Sequence, residues 1–423
     1  MLPQNLELHN LTDEEVLFFI RIRGKDSYFK NVYSHKFLSY FTSVREFKCI
    51  SEYEKDAHIH IDLNSVPRTF LLENEFADFS KIIDVYDVIL RCRGLRNIPL
   101  NESKELISRA YLFFRKFYNE NSSLKLIVMG AIDNYVMDIM VRVGSHFGVS
   151  FIGVTDSLMS PQYKLVTVRG ELNAFSEPKL DNIHFFSSKI LTNLNSRKTP
   201  VFINVFKRFI YDFSSSVYRN VWRYCFKYKI LGRLEYEYRF ATVFHSINIF
   251  DQLYALKYLD YSLDSLELND KIAYIPLHFY PEATTDYWID DLFYVDYYNS
   301  LKATVIKLQK LGYSVITKEH PHFFMRRHSG IYKELVEIGC RVLSPWISTK
   351  SVFEIIDLVV VYNGSTGIEA ILDGKKVVRM TNSYYGDSII PRLEDNIDIG
   401  HLPSGSADEC LSRVFCSSFR TEY

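Results

Sequence analysis

The sequence predicts an α/β protein built as two Rossmann-like, doubly wound domains that face a central cleft, with a helical aromatic and basic segment connecting them. Three observations predict it. The chain has 423 residues, which is long for one ordinary core. Its first half contains a strand, helix and strand in the order of a parallel βαβ unit. Its last third repeats apolar strand, helix and glycine stop several times over. On these grounds residues 1–195 form an N-terminal α/β domain and 196–268 a helical connection. Residues 269–400 form a C-terminal α/β domain, and 401–423 form a tail placed to return to the first domain.

The elements follow in order. His58 to Leu63 alternates polar and apolar like a half-buried strand, and Asp87 to Leu90 is a second strand candidate. Ser103 to Tyr118 has helical spacing, with Leu106, Ala110, Phe113, Phe114 and Phe117 on one side. Leu124 to Ala131 is a buried strand. Tyr135 to Phe147 is a helix stopped by Gly148, and Val149 to Thr155 is the next strand. Residues 193–200 read as a connection, and Val201 to about Asp260 as a long helical stretch. Then come the strand Ile272 to Leu277, the helix Leu292 to Leu311 closed by Gly312, and the strand Ser314 to Lys318. A helix from Gly330 to Ile338 closed by Gly339, a short strand Arg341 to Leu343 and a short helix Lys350 to Ile356 follow. The last run is the strand Leu358 to Val361, the helix Thr366 to Leu372 closed by Gly374, and the strand Lys376 to Met380.

Composition removes several classes. The formal net charge of -1 gives no global attraction to nucleic acid. The six cysteines include no CxxC pair, so a disulfide framework or zinc site is not expected, and reduced thiols in the cytoplasm fit. The N-terminal residues lack the basic and apolar regions of a secretory signal, and no run reaches the length of a spanning helix. There is no GxGxxG, Walker loop, HExxH or nucleophile elbow.

Chemistry concentrates at three strand ends of the second domain, where open α/β sheets bind ligands. The first runs from Pro276 to Thr285 and includes His278 and Glu282. The second is Lys318-Glu319-His320-Pro321. The third is Asn363-Gly364-Ser365-Thr366-Gly367, which opens a helix. Gly364 and Gly367 allow close backbone approach, while Ser365 and Thr366 supply hydroxyls at a positive helix start, where a phosphate is the natural guest. Ser365 or Thr366 with Glu369 also resembles a helix cap, which needs no ligand. His320, held before Pro321, can donate to a phosphate oxygen or protonate a leaving group. Lys318 adds charge there if it points the same way.

These three motifs, together with Ile368-Glu369-Ala370 and Gly374-Lys375-Lys376-Val377, resemble those of bacterial capsule and surface-polysaccharide glycosyltransferases of the GT-B fold. The pattern is similar to the Kdo transferases of capsule assembly, and the His-Pro and Ser-Thr elements look like those of GT-B sialyltransferases. The resemblance covers roughly residues 270 to 390. It implies sugar transfer from a nucleotide-sugar donor, with a CMP-linked acidic sugar as one candidate, to a glycan or lipid-linked glycan acceptor. His320, Pro321, Gly364, Ser365 and Thr366 would hold the donor phosphate, with Lys318 nearby. Glu369 would face the ribose, and His278 with Glu282 would lie near the base or sugar. The first domain would then be the acceptor side. A UDP-sugar 2-epimerase, a CDP-glycerol glycerophosphotransferase and an inactive scaffold in a polysaccharide assembly complex share the layout.

The first domain offers carboxylates for catalysis. Asp133 follows the strand Leu124 to Ala131, and Asp138 lies one turn into the next helix. The plain account of Asp133 is a helix N-cap. Asp156, Arg169 and Glu171 are further cleft candidates, more simply read as surface charges. Asp84-Val85-Tyr86-Asp87 has the wrong spacing for a DxD motif and precedes a predicted strand, which argues for a metal-independent enzyme with no cofactor beyond its substrate. His58 and His60 share a strand face but have no third ligand in view. Positions 201–240 interleave bases such as Lys207, Arg219 and Arg223 with aromatics such as Phe206, Tyr218 and Trp222. They read as a packed helical hairpin or as a peripheral contact with the inner face of the membrane.

Overall fold

A computed structural model describes residues 11–20, 48–51, 59–66, 73–156, 162–174, 206–207, 210–211, 214, 249–263, 271–289, 291–323, 327–381, 390–394, 397, 399, 411 and 418–420. Most of the 201–240 segment, the 193–200 connection, His58 and most of the 401–423 tail lie outside the described residues.

Two sheets organise the chain. The first contains β1 (Val16–Ile20), β2 (Cys49–Ser51), β3 (Ile59–His60), β4 (Leu126–Gly130), β5 (Ser150–Asp156), β6 (Gln162–Thr167) and β7 (Gly170–Ala174). The second contains β8 (Leu259–Asp260), β9 (Ile272–Pro276), β10 (Ser314–Lys318), β11 (Arg341–Leu343), β12 (Leu358–Val361) and β13 (Lys376–Arg379). The last strand, β14 (Ser418–Arg420), pairs antiparallel with β6 in the first sheet.

In the first sheet β3, β2, β1, β4 and β5 lie side by side and parallel. The antiparallel β6, β7 and β14 extend it beyond β5. In the second sheet the order is β13-β12-β9-β10-β11-β8, parallel throughout. Counted from its first strand, the parallel core of the first sheet has the doubly wound order 3-2-1-4-5. Counted from β9, so does the second. Each therefore has a topological switch point, between β1 and β4 in one and between β9 and β12 in the other.

Burial explains the strands. β12 is buried along its whole length, and such two-sided burial is what a continuous Leu-Val-Val-Val run satisfies. Alternate residues of β9 serve opposite faces. Ala273 and Ile275 pack with Leu301, Val305 and Leu308 of the helix Tyr297–Lys310. Ile272 and Tyr274 pack with Val352 and Phe353 of the helix Thr349–Ile355 and with Ile368 and Ala370 of the helix Thr366–Leu372. The first core gathers Ile107, Tyr111 and Phe114 of the helix Leu100–Glu120 with Ile127 and Met129 of β4 and Ile139 and Met140 of the helix Tyr135–His146.

Three expectations are corrected. Asp87 to Leu90 is not a strand: Val85–Arg91 is a helix. Asp84 caps it by accepting from the amides of Tyr86 and Asp87, and Asp87 takes the Arg91 guanidinium at 2.8 Å one turn on. The helical stretch does not reach Asp260, because Leu259–Asp260 turns into β8 on the edge of the second sheet. The long helix from Leu292 is two helices, Leu292–Val295 and Tyr297–Lys310, broken where Asp296 turns its carboxylate to the Asn299 amide. Among the described residues no helix is long and apolar enough to cross a membrane.

Among the described residues, the stretch from Tyr280 to Val295 of the second domain carries contacts with the first. Tyr287 is buried in the first domain's core, with Trp288 packed against that core. Arg91 donates to the carbonyls of Asp286 and Ile289. The Asp286 carboxylate, fully buried, takes Arg93 at 3.3 Å and Arg96 at 2.7 Å. Residues 283–289 thus form a wedge driven into the first domain just after the Pro276–Glu282 strand end.

Candidate active site

The second sheet's switch point brings two of the predicted strand ends into contact. His278 follows β9, and Gly364 follows β12, its neighbour. A Cβ built on Gly364 would lie 3.7 Å from His278 Nδ1. His320 follows β10, on the other side of β9. The His278, His320 and Gly364 strand ends therefore line one edge of three adjacent parallel strands.

The His278 ring is oriented from one side. Its Nε2 lies 3.0 Å from the Thr284 hydroxyl and 3.1 Å from Glu282 Oε1, and the hydroxyl donates to the same carboxylate oxygen at 2.6 Å. Its backbone N–H donates to the Tyr297 hydroxyl at 2.8 Å. With Nε2–H turned to the carboxylate, Nδ1 is left facing Gly364, and a protonated ring donates there. Burial pushes the Glu282 carboxyl up, but the hydrogen bond and charge of His278, the Thr284 hydroxyl and the His320 charge outweigh it and hold the pKa below the usual carboxylate range. A depressed native pKa gives stability that is complete above the unfolded value and is lost as pH falls through the native one. Glu282→Gln is therefore expected to flatten the acid limb of stability below about pH 4.5, read from unfolding midpoints across pH.

At the third motif the Ser365 side chain does not cap the helix Thr366–Leu372, although Ser365 is its N-cap residue. Gly364 has no positive φ, so its backbone does not require glycine. Glu369 is buried and its charge reaches Tyr274 of β9, placing it against the sheet. The buried Lys318 donates from Nζ to the Thr349 hydroxyl at 2.9 Å, toward the start of the helix Thr349–Ile355. Pro321 opens a short 3-10 turn, with the Phe323 amide donating to the His320 carbonyl at 2.8 Å.

In the first domain the two candidate carboxylates separate. Asn134, not Asp133, caps the helix Tyr135–His146, accepting from the Met137 amide at 2.8 Å. That leaves Asp133 at the loop after β4, beside the first sheet's switch point, with 24% of its side chain exposed and Arg93 paired to it. Asp138 has 0% exposure and is held between Arg142 at 3.1 Å and Arg169 at 2.9 Å. Arg93 also bonds Asp286, and Arg96 donates to the Tyr280 hydroxyl at 3.2 Å. The Asp133 loop and the Tyr280–Asp286 loop thus converge on one pair of arginines. Those arginines carry no sequence motif, and neither does Arg327, which pairs with Glu319 of the second motif beneath the two histidines.

With parallel sheets of this order meeting along their carboxyl edges, the topology decides the architecture. The fold is GT-B. No protein-family model and no curated protein matches the sequence. Among solved structures, Thermosulfurimonas dismutans KpsC, a beta Kdo 2,7 transferase, is 11% identical, with 73% of this chain and 82% of that chain covered and a TM-score of 0.36. The beta Kdo 2,4 transferase of the same protein is 9% identical, covering 70% of this chain and 82% of that one, with a TM-score of 0.37. UDP-GlcNAc 2-epimerase from Neisseria meningitidis, bound to UDP-GlcNAc, is 8% identical over 86% and 82%, with a TM-score of 0.24. The GT-B assignment rests on strand order and pairing, not on these likenesses.

Proposed function

We propose that the chain is a glycosyltransferase that takes a nucleotide-sugar donor at the switch point of its second sheet and an acceptor from the first-domain side. One observation carries the reading: His278 and Gly364 meet at that switch point, with His320 on the adjoining strand end. Open α/β sheets bind ligands there.

In this reading the donor's phosphate lies against His320, the Ser365 and Thr366 hydroxyls and the backbone at Gly364, with His278 Nδ1 facing it. An acceptor hydroxyl attacks the sugar's anomeric carbon, the bond from that carbon to the phosphate oxygen breaks, and the nucleotide leaves with the bonding electrons. The hydroxyl's proton passes to a first-domain carboxylate. Asp133 is the better placed of the two candidates, since Asp138 is sealed between arginines. The imidazoles and hydroxyls offset the charge growing on the leaving phosphate. The finer assignment is a CMP-linked acidic sugar passed to a surface-polysaccharide or glycolipid acceptor, and it rests on the motif resemblance alone.

Thermal unfolding with millimolar CMP, UDP and CDP tests the reading. One of the three is expected to stabilise the protein, by about 2.7 kcal/mol at a hundred times its Kd, with the effect lost in His320→Ala and Ser365→Ala. Gly364→Ala is a sharper probe. Its Cβ meets no described protein atom closer than 3.7 Å, so the ligand-free stability is expected to hold while nucleotide stabilisation falls. No shift with any of the three nucleotides would overturn the proposal.

A further inference from the structure

Beneath the two site histidines lies a buried ion pair that the reaction scheme above does not use. Glu319 and Arg327 both have side chains at 0% exposure. The guanidinium grips the carboxylate with two prongs, Nε to Oε2 at 2.8 Å and Nη2 to Oε1 at 3.0 Å. The remaining bonds of the pair lead to the site. Glu319 Oε1 accepts the His320 backbone N–H at 2.6 Å, and Arg327 Nη2 donates to the His278 carbonyl at 3.0 Å. The outer edges are tied down as well. The Tyr332 hydroxyl donates to Glu319 Oε2, and Arg327 Nη1 donates to the Tyr298 hydroxyl at 2.9 Å. Arg327 also lies over the Phe323 ring, 4.7 Å from its centroid. Phe323 packs edge-on against Phe279, and Phe279 against the His320 ring.

We propose that Glu319 and Arg327 act as one positioning unit, which fixes the backbones of His278 and His320 relative to each other and so sets the spacing of the two imidazoles across the crevice. Strand pairing alone does not do this. The β9–β10 ladder ends at Pro276 and Lys318, with one further bond from the Leu277 amide to the Lys318 carbonyl. Both histidines lie beyond it. Backbone bonds hold the His320 segment to Leu343 and Phe323, and the Glu319 and Arg327 side chains link that segment to His278. The forked geometry makes the residue types specific: an ammonium at 327 keeps the charge but cannot hold both carboxylate oxygens and the His278 carbonyl from one rigid plane.

The nucleotide arm of the test rests on the crevice being a nucleotide site, and the second arm does not. Arg327→Lys, Glu319→Gln and the milder Tyr298→Phe are compared with Ile107→Ala, which empties space in the first domain's core. Affinity for whichever of CMP, UDP and CDP binds the wild type is read by calorimetry, and imidazole resonances by NMR. Those of His278 and His320 are assigned through their glutamine variants. We expect affinity to fall about tenfold or more in Arg327→Lys and Glu319→Gln, and less in Tyr298→Phe. The two losses should not multiply in the double variant, because either change breaks the same unit. The His278 and His320 resonances shift together in each variant, whereas Ile107→Ala lowers the melting temperature and moves neither signal nor affinity. Unchanged histidine resonances in folded Arg327→Lys and Tyr298→Phe overturn the proposal, as does an affinity that merely follows melting temperature in all four variants. If the wild type binds none of the three nucleotides, the functional reading fails, and the resonances alone decide the positioning role.

Discussion

Arg327→Met is expected to destabilise the protein by about 3–5 kcal/mol, the cost of leaving a buried charge without its partner. Methionine roughly follows the arginine stem but gives up the guanidinium over the Phe323 ring, so the loss is electrostatic more than steric. Glu319 would retain the Tyr332 hydroxyl and the His320 amide but lose both prongs of the guanidinium. The check is the urea midpoint at unchanged slope. Adding Glu319→Gln to the methionine variant removes the stranded charge and is expected to restore much of the stability, since a neutral replacement of a buried pair often costs little. The restored protein should still bind nucleotide poorly, because the forked link to the His278 carbonyl is gone. A single variant losing less than about 1 kcal/mol would mean that the pair contributes no more than an exposed one.

Stability and site geometry thus share residues that the linear sequence does not connect. What was legible was local. The buried strands Ser314–Lys318, Arg341–Leu343 and Leu358–Val361 and the helix Thr366–Leu372 have the predicted bounds. Leu358–Val361 is an unbroken apolar run, the other two strands centre on the Val315-Ile316 and Val342-Leu343 pairs, and the helix ends before a glycine stop. Gly312, Gly339 and Gly374 adopt positive φ of 83°, 79° and 75°, the left-handed closure that glycine makes without strain. The strand ends bearing His278, His320 and Gly364 were legible for the same reason, because polar groups directly after an apolar strand mark its carboxyl end.

The misses have physical causes too. Asp87 to Leu90 carries β-branched residues, but the Asp84 cap and the Asp87–Arg91 and Asp87–Arg142 pairs outweigh strand propensity. The Asp133 assignment slipped by one residue, since Asp133 and Asn134 are equally good caps in isolation and only the backbone decides between them. Arg93 and Arg96 meet Asp286 across nearly 200 positions, a separation at which no periodicity operates. Glu319 and Arg327 are eight apart, beyond helical spacing and across a loop, so nothing in the sequence marks them as partners.

The interface wedge supplies the other large effect. Gly170, at the turn between β6 and β7, has φ +91°, and a Cβ there would lie 2.1 Å from Cδ2 of Trp288 and 2.4 Å from its Cγ. Neither the backbone nor the space admits a side chain. Gly170→Ala is expected to cost about 2–5 kcal/mol, adding strained backbone to displacement of a packed ring. The ring must move because the clash is with its base rather than a flexible tip. Trp288 stands two residues beyond Asp286 and four beyond Thr284, which orients His278. On the proposed function, its displacement should weaken nucleotide stabilisation as well as folding, although Gly170 is remote from the three strand-end motifs in sequence. A double-mutant cycle with Trp288→Ala separates the terms. In that background Gly170→Ala keeps only its backbone cost, about 1–2 kcal/mol, and the remainder is the coupling between the domains. Equal costs in both backgrounds would show that Trp288 yields freely and that the wedge does not hold the two sheets together.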